Sequence, residues 1–367
     1  MSNSYDTGMA PPPSPYNNAA SPRQDIRITC PQQSPLGRTL LAGCLGTLLK
    51  AAFVLFVFIL LTAFMVSMRS GSSVPGEITE RHFSGNERAK DKIAVITLDG
   101  IIYGGEETGF IKQIEKATDD DKVKAVVLRI NSPGGTVSGS DYYHHKLLEF
   151  KKKRNIPIVV SMGTMATSGG YYLAVTGDEI FAEHSTLTGS IGVIMPNYDL
   201  SELCEKIGVK SVPITSGPLK ELGSVTRKLT EEEQAVLESI VGDMFARFKD
   251  IVCDGRPALQ NDPELLAQAT TGRVFLAKQA LEMKLIDRIG YIDEAVERAA
   301  SRAGLLIDDY RVVRYEQSKS LMETMIGLKA DRIAGTDSQL TVAAELLRDI
   351  ASPQMYYIYP RALPIRE

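Results

Sequence analysis

The sequence predicts an α/β fold in which helices are layered on a sheet of buried parallel strands, and three observations carry this. Short runs dense in β-branched residues alternate with longer segments at helical spacing. The runs Val126-Val127-Leu128-Arg129-Ile130 and Ile158-Val159-Val160-Ser161-Met162 are almost unbroken in apolar character, as in strands covered on both faces. Glycine-rich turns follow them, Asn131-Ser132-Pro133-Gly134-Gly135 after the first and Thr167-Ser168-Gly169-Gly170 after the second.

Taken in order, residues 1–38 are rich in Pro, Ser and Asn, with Ala10-Pro11-Pro12-Pro13-Ser14-Pro15 as a sample, and read as disordered. Residues 39–68 read as a transmembrane region. Its part 51–68 carries no charge and is dense in Phe, Leu, Val and Ile, and as a helix it measures roughly 27 Å, close to a hydrocarbon core. Lys50 separates it from a further apolar stretch and can snorkel to the interface. Arg38 and Lys50 on one side balance Arg69 and Arg81 on the other, so the flanking charges give no orientation.

A polar linker over 69–90 leads to the domain expected at 91–305. Within it, strands are predicted at 93–102, 125–130 and 158–162, and helices at 107–117 and 138–154, with a helical stretch at 171–175. A long helix is predicted over 230–252, where Thr230 and Glu233 form a capping box and Leu237, Ile240, Met244, Phe248 and Ile251 keep helical spacing. The remainder, 306–367, reads as an extension with one β-like piece at 310–315.

Composition narrows the function classes. The chain has 367 residues, 44% of them hydrophobic, enough for one large core. Lys and Arg number 41 against 45 Asp and Glu, which gives no sign of a nucleic-acid partner. Cys30, Cys44, Cys204 and Cys253 are widely spaced without a CxxC pair, so neither a zinc site nor a disulfide framework is indicated. With no metal-ligand cluster, P-loop or dinucleotide fingerprint, no cofactor and no metal are expected.

The candidate chemistry centres on Ser168. It stands between a strand and a helix, where outward backbone N–H groups and the helix dipole favour developing negative charge. Taken alone, the run is also what a Ser N-cap and a tight Gly-Gly turn look like. A serine hydroxyl needs a base. Of the four histidines, His82, His144, His145 and His184, only His184 lies near the motif in sequence, and a Ser-His pair stays open. A lysine is the other option, although an unperturbed one is about 99.9% protonated at neutral pH and serves only when desolvated. Lys220 has Gly217, Pro218 and Leu219 before it and Leu222 and Gly223 after it, with Lys210 and Lys228 as rivals by proximity.

Four segments, the Ser132-Pro133-Gly134-Gly135 turn, Thr167-Ser168-Gly169-Gly170, Thr188-Gly189-Ser190-Ile191-Gly192 and Ser216-Gly217-Pro218-Leu219-Lys220, together resemble the signal peptide peptidase A family. These are membrane-anchored Ser/Lys proteases of the crotonase and Clp protease superfamily. The resemblance spans about 92–304 and includes Gly272-Arg273-Val274-Phe275 and Leu285-Ile286-Asp287. It implies a crotonase/Clp-like layered fold, with Ser168 as nucleophile and Lys220 as general base. Ser190 would hold the lysine amine, and the amides of Gly135 and Gly169 would form the oxyanion hole. It further implies peptide substrates such as remnant signal peptides, a closed homo-oligomer, and a single pass through the inner (cytoplasmic) membrane with the catalytic domain outside the cytoplasm. Three features depart from the family pattern: Lys284 where Gly is common, Val225 where Pro is common, and a longer tail. Two other readings stand beside the peptidase, an acyl-CoA enzyme of the wider superfamily and a catalytically silent membrane scaffold.

Overall fold

The computed structural model describes residues 77–317 apart from 106 and 107, together with 55, 56, 58 and 356–358. The chain divides into two units, Met1–Ser72 and Ser73–Glu367. In the first, only Leu55, Phe56 and Phe58 are described, and they are helical. The rest of the expected membrane span, the disordered stretch 1–38 and most of the extension lie outside the described residues. Among the described residues, no helix is long and apolar enough to cross a membrane.

The second unit is organised around a mixed sheet. The strands of the unit are β1 (Ile78–Gly85), β2 (Asp91–Asp99), β3 (Val123–Ser132), β4 (Gly134–Thr136), β5 (Ile158–Thr167), β6 (Glu179–Ala182), β7 (Leu187–Gly189), β8 (Val274–Leu276), β9 (Arg288–Ile289), β10 (Tyr310–Gln317) and β11 (Tyr356–Ile358), of which β4 and β11 pair apart from the main sheet. The main sheet runs in the order β1-β10-β2-β3-β5-β6-β9, while β7 pairs with the far end of β5 and with β8. Pairing is parallel from β10 to β9, and β1 lies antiparallel on the outside. Alternate residues of each strand face opposite sides. Ala94, Ile96, Val126, Leu128 and Val160 pack beneath the helices Gly109–Asp119 and Val137–Arg154. Ile93, Val95, Ala125, Val127 and Val159 pack on the other face against Ala295, Val296 and Ala299 of the helix Ile292–Arg302.

Two pieces of this sheet come from outside the segment 91–305. In β1, drawn from the stretch read as linker, Ile78 is fully buried and the other side chains are half-buried or exposed, so little apolar pattern marks this edge strand in the sequence. β10, from the stretch read as extension, inserts between β1 and β2 and buries Tyr310, Val312, Val313 and Tyr315. β5 also runs five residues beyond Met162. Its polar end is held by neighbours on both sides, Ala166 opposite Ser132 of β3 and Met165–Thr167 opposite β7.

The helix Glu231–Gly255 begins at the expected capping box, with the Thr230 hydroxyl accepting from the Glu233 amide and the Glu233 carboxylate accepting from the Thr230 amide. Its C-terminal part is buried through Phe248, Ile251 and Val252, whereas Leu237, Ile240 and Met244 are only half-buried. The N-terminal half therefore stands off the core. Cys204 and Cys253 are free thiols.

Candidate active site

Ser168 sits between the end of β5 and the short helix Gly169–Ala174. Its amide donates to the Gly189 carbonyl at 2.7 Å, and its carbonyl accepts from the Tyr172 amide at 2.9 Å. These bonds hold the residue at φ 52°, ψ −114°, a setting that costs a non-glycine residue about 1–3 kcal/mol. The Ser168 hydroxyl is buried and has no hydrogen-bond partner among the described residues. A buried hydroxyl without a partner is a loss of stability, so this site carries two costs at one residue. Gly170 is required by space, since a Cβ there would lie 2.9 Å from the Ser132 carbonyl oxygen. The Gly169 amide opens the helix, where backbone N–H groups lack intrahelical partners.

The upstream glycine turn is built against this helix start. The Ser132 hydroxyl donates to the Gly100 carbonyl at 2.6 Å and accepts from the Gly134 amide at 3.1 Å. The Thr167 hydroxyl donates to the Pro133 carbonyl at 3.1 Å, tying the turn to the residue before Ser168. Ile102 donates to the Gly134 carbonyl and accepts from the Thr136 amide, at 2.8 and 2.7 Å. Between them only glycine fits, because a Cβ on Gly135 would lie 1.9 Å from the Ile102 carbonyl oxygen.

Ser190 follows β7 directly. Gly189 stands opposite Thr167, so Ser168 and Ser190 are neighbours at the ends of adjacent strands. Ser190 is itself at φ 51° and buried, its amide donating to the Arg273 carbonyl at 2.8 Å. Ser168, Gly169 and Ser190 are thus brought together at the ends of β5 and β7, and the turn that leads into Gly135 of β4 is tied to them through Thr167.

Lys220 is not. It lies on the 3-10 turn Pro218–Glu221, exposed, and its side chain has no hydrogen-bond or ion-pair partner among the described residues. The physical reason is the lack of core beneath this stretch, in which Val212 and Ile214 are 82% and 99% exposed. What anchors the turn is Arg227. Its guanidinium donates to Glu221, the neighbour of Lys220, at 3.0 Å and to the Glu233 carboxylate at 2.7 Å. Hydrogen bonds from Arg227, then from the Thr230 amide, hold the Glu233 carboxyl down at about 2. Sequence reasoning gave Glu233 a capping role alone, and its second role depends on the fold of 221–227.

The rival bases are exposed, whereas Ser168 is buried. Lys210 and Lys228 are exposed. His184 is exposed and lies 6.4 Å, ring to ring, from Tyr291. The Thr186 hydroxyl ties its turn to the Gly163 carbonyl at 2.6 Å, and Gly163 precedes Ser168 by roughly 16 Å of extended strand.

Behind the helix Gly169–Ala174 lies a polar cluster that sequence reasoning missed. The Tyr172 hydroxyl donates to Asp141 at 2.7 Å, and Arg247 donates to the same carboxylate oxygen at 2.8 Å. Burial opposes the charge on Asp141, but the hydrogen bonds from Tyr172 and Arg247 prevail and hold its carboxyl below the usual range. His144 packs edge-on against the Tyr172 ring at 5.2 Å, and burial lowers its imidazole to about 4.

Beyond Ser190, an open cavity of about 740 Å³ is lined by Ile194, Met195, Leu237, Val241 and Phe245. It occupies the space under the half-buried part of the helix Glu231–Gly255. Among the described residues, no group of three or more His, Cys, Asp or Glu side chains could hold a metal ion.

A strained serine at a strand-to-helix turn, faced by a glycine turn on a layered α/β sheet, fits the frame of an acyl-transfer enzyme. The chain belongs to peptidase family S49, the signal peptide peptidase A family, and the model of that family matches residues 150–306. It is 37% identical over 258 residues to a candidate protease of Synechocystis sp., covering 70% of this chain and 88% of that one. It is 32% identical to a candidate signal peptide peptidase A of Enterococcus faecium, covering 77% of this chain and 85% of the relative. Among solved structures it is similar to a membrane-bound stomatin-specific protease, at 14% identity and a TM-score of 0.40, over 66% of this chain and 99% of that one.

Proposed function

We propose that this S49 peptidase is a membrane-anchored serine endopeptidase with a Ser168/Lys220 dyad. The observation that carries the reading is the Ser168 hydroxyl, buried, unpartnered and held at positive φ at a helix start. In the acylation step the hydroxyl oxygen bonds to the scissile carbonyl carbon, and neutral Lys220 takes its proton. The amides of Gly135 and Gly169 receive the carbonyl oxygen as it becomes an anion, each worth roughly 2.7–4 kcal/mol of barrier. The protonated lysine then gives the proton to the departing amine, and water repeats the sequence to free the enzyme. Ser190 orients the lysine amine.

For Lys220 to act in this way, the exposed 3-10 turn must be brought into dry surroundings beside Ser168. A closed homo-oligomer, in which another copy covers the apolar stretch around Val212 and Ile214, supplies that burial. The cavity beside Ser190 suits the apolar side chains of remnant signal peptides and other membrane-associated peptides. The uncharged stretch 51–68 anchors the chain in the inner membrane, with the catalytic domain on the extracytoplasmic side.

The test is labelling of the full chain with a fluorophosphonate probe, wild type beside Ser168→Ala and Lys220→Ala. Labelling in the wild type only is expected. Equal labelling of Lys220→Ala would overturn the dyad, and acyl-CoA turnover without peptidase activity would overturn the reading altogether.

A further inference from the structure

β5 changes partners on its way to Ser168. Up to Met162 it pairs with β6, and from Met165 it pairs with β7. Against β3 the register slips at the same point: Ile130 stands opposite Met162, but Ser132 stands opposite Ala166. Asn131 is therefore matched by Gly163, Thr164 and Met165, a bulge in β5. The two extra residues keep the alternation of faces and shift the strand lengthwise by about 7 Å. In the upstream register Ser132 would face Thr164, and Ser168 would stand that much farther beyond the glycine turn.

Arg129 of β3 is the side chain that meets this bulge. Its guanidinium donates to the Ser161 hydroxyl at 2.9 Å and to the Met162 carbonyl at 3.4 Å, both just upstream of it. The other terminal nitrogen donates at 2.6 Å to the carboxylate of Glu183, the first residue after β6. A Cβ on Gly163 would lie 3.0 Å from that nitrogen, so the guanidinium packs directly on the bulge. The Thr186 hydroxyl holds the same glycine by donating to its carbonyl at 2.6 Å. The Arg129 and Glu183 side chains are each 21% exposed, so the pair is largely out of water and removal of either partner strands the other charge.

We propose that Arg129 is a positioning residue for Ser168: with Glu183 it holds the bulge at 163–165, which sets the serine in register with the Ser132–Gly135 turn. The inference rests on the reading of Ser168 and Gly135 given above. Three segments of the site meet in this contact. β3 runs from Arg129 into the glycine turn, β5 runs through the bulge to Ser168, and the chain after Glu183 runs through β7 to Ser190. A bulge gives up ladder hydrogen bonds, so its shape depends on what its neighbours supply. A misplacement of about 1 Å at the reacting atoms costs on the order of 10²-fold in rate, so a slack bulge slows the chemistry before it threatens the fold.

Three variants of the full chain test this: Arg129→Met, Glu183→Met and the two together. Each single change leaves a charge without its partner and is expected to lower the melting temperature. The double change removes both charges and is expected to restore most of it. Reaction with a fluorophosphonate probe separates positioning from structure. Its limiting rate, kinact, is expected to fall about ten- to a hundredfold in Arg129→Met and to stay low in the double variant. The probe concentration at half-maximal rate is expected to move by less than about threefold. A pair that only held the fold together would recover its rate along with its stability. The second measurement needs no catalysis: hydrogen exchange in a Ser168→Ala background. The amide of residue 168, bonded to the Gly189 carbonyl, is expected to exchange about tenfold faster in the double variant, and the Val160 amide upstream of the bulge is expected to stay unchanged.

A wild-type kinact in the double variant would overturn the proposal, and so would unchanged exchange at residue 168. If that exchange responds while no form, wild type included, labels with the probe, the hold on the bulge stands and the serine-peptidase reading falls.

Discussion

Ser168 and Ser190 share one backbone setting, φ 52° and 51°, at the ends of the adjacent parallel strands β5 and β7. The Ser168 amide is bonded to the residue before Ser190, which ties the two strand ends together. Two non-glycine residues at positive φ side by side are rare in a core and are kept where geometry serves chemistry.

Ser168→Ala is expected to remove peptidase activity by about 10⁴-fold or more while leaving the fold intact. Ser168→Gly is expected to be equally inactive yet at least as stable as the wild type, since glycine relieves strain of order 1 kcal/mol. Thermal denaturation of the two variants checks this. A large fall in melting temperature for Ser168→Gly would mean that the hydroxyl serves the fold.

Lys220→Ala and Lys220→Arg are expected to be equally inactive, because a guanidinium cannot be deprotonated and so cannot take the serine proton. Activity of the wild type is expected to rise with pH to an alkaline plateau. His184→Ala, at an exposed turn between β6 and β7, is expected to keep activity. The opposite pattern, loss with His184→Ala and survival of Lys220→Ala, would establish a Ser-His pair.

Arg227→Ala is expected to lower kcat on the order of ten- to a hundredfold by releasing Glu221 and the turn that carries Lys220. Faster limited proteolysis within 210–225 should accompany the loss. The Glu233 carboxyl is held at about 2, a depressed value whose stabilisation is lost only as pH falls through it, so the Arg227–Glu233 contact stays ionised at working pH.

Gly135→Ala is expected to destabilise the domain by about 3 kcal/mol or more, because its Cβ would collide with the Ile102 carbonyl. Gly242→Ala, with open space around it in the helix Glu231–Gly255, is expected to raise stability by about 0.5–1 kcal/mol. Denaturant midpoints of the two variants, compared directly, test both signs.

His144 gives the fold an acid limit. Asp141 and Asp254 favour its charged form, Arg247 and His145 oppose it, and burial outweighs them all in lowering it to about 4. A base lowered on folding binds its proton in the unfolded chain first. Stability is therefore full above pH 6.5 and declines as pH falls from there to about 4, by up to about 3 kcal/mol. His144→Gln is expected to flatten that decline in urea titrations at pH 7 and pH 4.5.

Much of this protein could be read directly from its residues. The apolar runs at β3 and β5, the capping box of Thr230 and Glu233, and the turns at Gly135 and Gly169 are local signals, decided by periodicity and backbone permissiveness within a few positions. The strand β1 was not legible, because an edge strand with one fully buried residue has almost no apolar pattern. β10 was read only as a β-like piece, and its place beside β2 joins residues more than two hundred positions apart.

The sequence by itself determined the residue types of the site, the order of its motifs and the family to which the chain belongs, since these reside in short segments whose chemistry is local. Tertiary structure alone decided that Ser168 stands beside Ser190, that Arg227 binds the neighbour of Lys220 and that Tyr357 faces Gly135. Each of these depends on strand register and chain return over long separations. Free energy there comes from packing and main-chain pairing that no stretch of residues contains within itself.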